Sequence, residues 1–157
     1  MPGLESRHYL QAWFFLHRLQ VDPPPDESTR VYGVLVDVCL ETGTESVVAY
    51  ADHHARYMNY RGGGFIWEAP DASLNDPVDR LLRACEIVAA QIPPLEQGIP
   101  NPPVQVDAVQ ICILTPGGIR HGIGTFDGWA KNQTGAPIVA AATDLMKSLV
   151  DKSSTKK

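Results

Sequence analysis

Residues 104–114 offer apolar side chains to both sides of an extended backbone. Val109, Ile111 and Ile113 alternate onto one face, and Ala108, Cys112 and Leu114 onto the other. A strand with one face in water alternates apolar with polar residues, so this run reads as a central strand of a sheet. The rest of the chain has to supply that sheet and its cover. Thr115-Pro116-Gly117-Gly118 fits a tight turn, with proline at its first corner and glycine free to take a positive φ, and residues 119–126 then return antiparallel.

Four more strands are predicted upstream. Residues 31–40 alternate and are rich in valine; 45–51, 55–60 and 65–68 follow, separated by Glu41-Thr42-Gly43-Thr44, Asp52-His53-His54 and Gly62-Gly63-Gly64. Short turns of this kind make a meander. Three helices are predicted by spacing: 4–19, with Tyr9, Trp13 and Leu16 in line and Leu10 and Phe14 beside them; 77–92, with Val78, Leu81, Leu82, Cys85, Val88, Ala89 and Ile92 on one side; and 136–150, with Ile138, Val139, Ala142, Leu145, Met146 and Leu149. Asp76 reads as the N-cap of the second helix, Pro77 suits its first position, and Pro93-Pro94 stops it. Pro23-Pro24-Pro25 makes residues 21–26 a connector, and 95–103 reads as an ordered, proline-rich surface loop.

The order helix, four strands, helix, two strands, helix has no strand–helix–strand alternation, which excludes a doubly wound parallel sheet. The expectation is α+β: an antiparallel sheet of about five to six strands with an N-terminal, a central and a C-terminal helix packed on it, all on one face. A chain of 157 residues forms one domain, taken as 1–150, with 151–157 a flexible polar tail. With 44% apolar and 20% charged residues it lies in the range of chains that fold.

A net charge of -5, with the only basic cluster at Lys147, Lys152, Lys156 and Lys157, argues against nucleic acid and anionic membrane as partners. Arg7, His8, His17 and Arg18 interrupt the aromatic N-terminal segment, so no membrane-length apolar run exists. Cys39, Cys85 and Cys112 are odd in number, lack CxxC spacing and sit in apolar stretches, which predicts buried thiols in a reducing, cytoplasmic setting.

No catalytic or metal signature stands out, and no cofactor is implied. His53-His54 has the right chemistry for a metal, but neighbours in an extended chain point to opposite faces and no HxH or HExxH spacing supports them. The structural alternative is a polar turn in which His53 takes a left-handed conformation. Arg61-Gly62-Gly63-Gly64 could cradle an anion with its backbone N–H groups, but it lacks a following helix and phosphate-loop spacing and reads better as a tight hairpin turn. His121, Asp127 and Glu68 with Ser46 or Cys39 contain the residue types of a nucleophilic triad without any local signature of one. Trp13, Phe14, Phe15, Trp67 and Trp129 are the candidate binding aromatics, because such side chains dominate interfaces; the alternative is that they are core.

The runs Leu40-Glu41-Thr42-Gly43, Val47-Val48-Ala49-Tyr50-Ala51-Asp52, Ala55-Arg56-Tyr57, Gly62-Gly63-Gly64 and Leu114-Thr115-Pro116-Gly117-Gly118 resemble a group of small uncharacterised bacterial proteins. More loosely, helices on an antiparallel sheet resemble the roadblock and profilin-like scaffolds, which implies protein–protein or small-ligand binding more than catalysis. Roadblock places its second helix after two strands rather than four, and its Asp-Gly turn is here Asp52-His53.

The expected function is therefore an interaction or small-ligand-binding module, a homodimer with room for a protein partner. The tentative binding residues are Trp13, Phe14, His53, His54, Arg61, Gly63, Trp67, His121 and Trp129. The alternative is a small hydrolase using His53, His121 and nearby acids. A third reading, an inhibitor-type protein that binds one partner through an acidic face, rests on charge alone.

Overall fold

The computed structural model describes residues 4–155. Its strands are β1 Gly33–Leu40, β2 Gly43–Tyr50, β3 Ala55–Met58, β4 Gly64–Trp67, β5 Ala108–Thr115 and β6 Gly118–Thr125. They form one antiparallel sheet in the order β4-β3-β2-β1-β5-β6. Helix α1 spans Ser6–Arg18, α2 Pro25–Ser28, α3 Asn75–Gln91, α4 Phe126–Lys131 and α5 Gly135–Thr155. The fold is thus α+β, with N-terminal, central and C-terminal helices on an antiparallel sheet, as the residue pattern predicts.

Register explains the core. Val36 lies opposite Val47 and Ile111, and Val34 opposite Ala49 and Ile113, so valines and isoleucines of three strands share a face. Ala55 and Trp67 extend that face toward the β4 edge. Against it pack Val78, Leu81 and Cys85 of α3 with Ile138, Leu145 and Leu149 of α5. Each large aliphatic side chain buried here contributes roughly 1.5–3 kcal/mol. β5 is buried at every residue, as a strand apolar on both sides requires.

The second face is covered differently. It carries Leu35, Asp37 and Cys39 of β1 beside Gln110, Cys112 and Leu114 of β5. Here α1 departs from the expectation that all helices share one face: it lies over the Tyr50 and Leu114 end of this second face, because α3 and α5 already fill the first. The chain after α3 covers more of it. Leu95 N–H donates to Ile119 O at 2.7 Å, Pro103 is buried, and the Gln110 amide reaches Pro100 O at 3.4 Å.

Several boundaries differ from the predicted ones for local reasons. α3 begins at Asn75, so Asp76 lies in its first turn and Leu74 holds the N-cap position without a side-chain cap. Residues 104–107 are not strand: Asp107 takes φ +66°, its N–H donates to Cys39 O and its carbonyl accepts from Phe126 N–H, and this clamp sets the start of β5. α4 follows β6 directly because Thr125 caps it through Gly128 N–H at 3.0 Å. A short α2 occupies the end of the proline connector, with Pro25 at its first position. α5 runs past Val150 to Thr155, where Ser153, Ser154 and Thr155 return their hydroxyls to carbonyls of the preceding turn. Lys156 and Lys157 lie outside the described residues. All three cysteines are free and buried, and burial pushes the Cys85 and Cys112 thiols up to about 12.

A polar row crosses the second face. Ser46 Oγ donates to Asp37 at 2.5 Å, Gln110 Nε2 donates to the other Asp37 oxygen at 3.1 Å, and His121 Nε2 lies 2.9 Å from Gln110 Oε1. Because the amide nitrogen faces the carboxylate, Gln110 Oε1 accepts and His121 Nε2 must carry the proton. Asp37 is 3% exposed, so these bonds replace its hydration. Gln110→Leu should therefore destabilise the fold by about 1.5–3 kcal/mol, whereas adding Asp37→Leu should cost less than the two single changes summed. Urea titration of the four proteins of the cycle measures the coupling.

Candidate functional site

α1 is held at its ends and beside its middle by polar contacts. At its start, Ser6 N–H donates to Asp52 at 2.9 Å, from the turn between β2 and β3. That turn exists because His53 accepts φ +68° and Asp52 also receives His54 N–H. One turn on, the Tyr9 hydroxyl donates to Glu27 at 3.1 Å, Tyr32 donates to the same carboxylate at 2.8 Å, and the two rings lie 4.7 Å apart. At its end, His17 Nε2 donates to Pro116 O at 2.6 Å while Nδ1 faces Asp22 at 3.6 Å. Leu19, Gln20 and Val21 then close the helix, with Gln20 at φ +59° and Val21 N–H returning to Leu16 O.

Between these anchors the underside of α1 does not settle into a core. Ser6 is its only buried residue, and beneath it runs a groove of about 810 Å³. The roof is Leu10, Trp13 and Phe14; the floor is Tyr50, Leu114 and Ile119; Leu95 and Ile99 form a side wall. Arg120 fixes that wall. Its guanidinium is 4% exposed, has no carboxylate within 4.0 Å among the described residues, and donates to Ile92 O at 3.1 Å, to Gly118 O and to the Thr115 hydroxyl. The end of α3 and the β5–β6 turn are thereby tied together just before the wall segment begins.

The polar groups sit at the rim. Arg18 stacks on Phe14, with its guanidinium carbon 5.7 Å from the ring centre, and Glu96 and Asp22 also line the groove. At the opposite end Arg7 and Tyr50 line both the groove and a smaller polar niche of about 60 Å³, which adds His54, Arg56 and Glu68. Burial holds the Tyr50 phenol above its ordinary value, although Arg56 and Arg7 pull the other way. The result is an apolar trough with Arg18 near one end and Arg7 and Arg56 near the other.

The residues singled out by sequence separate into four groups. Trp13 and Phe14 line the groove together. Trp67 is 3% exposed and Trp129 is half-buried: the first lies in the core with the Lys152 ammonium 5.3 Å from its ring centre, the second packs on Gly122 and Gly124 and donates to Val109 O at 3.0 Å. His53 pairs with Asp79 of α3 at 2.9 Å, His54 lies 3.6 Å from Asp52, and His121 belongs to the Asp37–Gln110 polar row of the second face, so the three histidines do not meet in one site. The Arg61–Gly63 cradle is filled from within, because Asn59 Oδ1 accepts both Arg61 N–H and Gly63 N–H at 3.0 Å. Arg61 itself stacks on Tyr60.

Among the described residues no group of three or more His, Cys, Asp and Glu is placed to hold a metal ion, and no helix is long and apolar enough to cross a membrane. Compared with known protein families, curated proteins and solved structures, the chain matches none of them. Sequence reasoning missed Tyr50, Arg56, Leu95, Ile99 and Ile119, which come together only through strand register and the path of the loop after α3. The one available signal was the width of the α1 apolar stripe.

Glu27 makes α1 sensitive to acid. Bonds from Tyr32 above all, then from Arg30 and Tyr9, hold its carboxyl below the ordinary 4.5. A carboxyl lowered in the folded state stabilises above its unfolded value and loses that contribution as pH falls through the folded one. Protection factors of the α1 amides should fall as pH drops below the ordinary carboxyl value of 4.5 while β1 and β5 stay protected, and Glu27→Gln should show the lower α1 protection already at neutral pH.

Proposed function

We propose that this chain is a ligand-binding module whose groove beneath α1 receives an apolar small molecule. The observation that carries the reading is a helix with an aromatic underside, tied down by polar contacts at its ends, spanning a trough of about 810 Å³. Sites for small ligands fall in the range of roughly 300–1,000 Å³, lined mostly by apolar side chains with a few polar groups at fixed places. The strands and turn that make the floor belong to the rigid sheet, so the trough is preformed. Binding rather than catalysis also agrees with what the roadblock and profilin-like resemblance implies.

Trp13 is a reporter at the site. The neutral probe N-phenyl-1-naphthylamine should quench its fluorescence by energy transfer on binding, and Ile119→Trp, which fills the trough from β6, should weaken the probe by about tenfold without lowering the melting temperature. Probe affinity unchanged by a folded Ile119→Trp would refute the reading.

Self-association into a homodimer has a separate observation behind it. On α1, Phe14, Phe15 and Leu19 are 48%, 53% and 73% exposed, a run of apolar surface at the edge of the groove. Sedimentation velocity should show a dimer that Phe15→Glu converts to a folded monomer; a wild-type monomer at high micromolar concentration would exclude it.

A further inference from the structure

The polar niche at one end of the groove allows the ligand to be described more closely. Arg56 stands opposite Val48 in the β2–β3 register, so its side chain lies on the same sheet face as Tyr50, two residues further along β2. Arg7, in the first turn of α1, lines the wall from above, and both arginines lie near enough to the Tyr50 phenol to favour its ionised form. Among the described residues the Arg56 side chain has neither a hydrogen bond nor a carboxylate within 4.0 Å, and the Tyr50 hydroxyl has no hydrogen-bond partner.

Most of the nearby acids are already engaged. Asp52 receives Ser6 N–H and His54 N–H, and Glu5 lies 3.6 Å from Arg7 and 3.7 Å from His8. Glu68, which also lines the niche, is the exception. The donor set therefore has Arg56 and the Tyr50 phenol with unspent capacity, and Arg7 shared with Glu5 at 3.6 Å, where an apolar trough meets a space of about 60 Å³. That space suits a small head, and the carboxylates around it oppose a second negative charge.

We propose that the ligand is an amphipathic monoanion, an alkyl carboxylate, with its head bonded by Arg56, Arg7 and the Tyr50 hydroxyl and its tail lying under Trp13 between Leu114 and Ile119. This rests on the groove reading above. Charge-assisted bonds from guanidinium to carboxylate, partly shielded from water, are the strongest polar contacts such a niche can make. Tyr50 adds a directional donor.

Decanoate, 1-decanol and decylamine share a tail and differ in head, so their binding to the wild-type protein at pH 7.5, read by Trp13 fluorescence and native mass spectrometry, separates the two claims. Decanoate should bind about tenfold more tightly than decanol, and protonated decylamine least well. Arg56→Gln should abolish the preference for decanoate while leaving decanol affinity unchanged, and Glu68→Gln should strengthen decanoate alone. Equal affinities for decanoate and decanol, or a preference that survives Arg56→Gln, would overturn the carboxylate assignment and leave the groove standing. Failure of all three ligands and of the naphthylamine probe would overturn both.

Discussion

Every residue of β5 is buried, and most of the architecture answers that demand. A strand apolar on both sides needs two layers of cover. On one side α3 and α5 supply it with a continuous aliphatic core running from Val78 and Leu81 through Ile111 to Leu145 and Leu149. On the other side no comparable helix pair exists. Cover there is assembled from α1, from the proline-rich chain after α3 and from a hydrogen-bonded row centred on Asp37, each attached by a few specific contacts rather than by a dense core.

This asymmetry is what creates a groove. Ridge-into-groove packing of α1 would need a sheet surface of matching shape, but its neighbours on that face are Tyr50, Leu114 and a turn whose Pro116 carbonyl and proline ring are taken up by His17 and by burial. The helix is instead fixed by charge and hydrogen bonding at Asp52, Glu27 and Pro116, and the space beneath it is left open. Arg120 performs the matching task for the opposite wall. Sheet floor, polar anchors and an aromatic roof together frame the trough in which we propose that an apolar molecule is held.

The strands and the long helices were legible because each writes its burial into a simple period: valines and isoleucines at every second residue, α3 and α5 apolar residues at every third or fourth. The left-handed His53 and the buried thiols were legible for local reasons too, a tight turn and an apolar neighbourhood. Asp76 failed as a cap because the helix starts two residues before Pro77, at Asn75, which puts Asp76 inside its first turn, and residues 104–107 failed as strand because the Asp107 clamp depends on Cys39 and Phe126, far apart in sequence. Of the aromatics, Trp13 and Phe14 lie at the groove. Trp67 and Trp129 serve packing, a distinction that composition does not carry.

The amino-acid order by itself determined an antiparallel α+β sheet, the places of its hairpins, the aliphatic faces of its central and C-terminal helices and an apolar stripe on α1 wider than a core requires. These follow from local periodicity, turn chemistry and the exclusion of apolar surface from water. Only the tertiary structure decided that α1 crosses to the second face, that Asn59 occupies the glycine-turn amides, and that Arg7, Tyr50 and Arg56 converge at the end of one trough. Such convergence depends on register and on the direction in which each side chain leaves the sheet, and a one-residue change in pairing would send Arg56 to the opposite face.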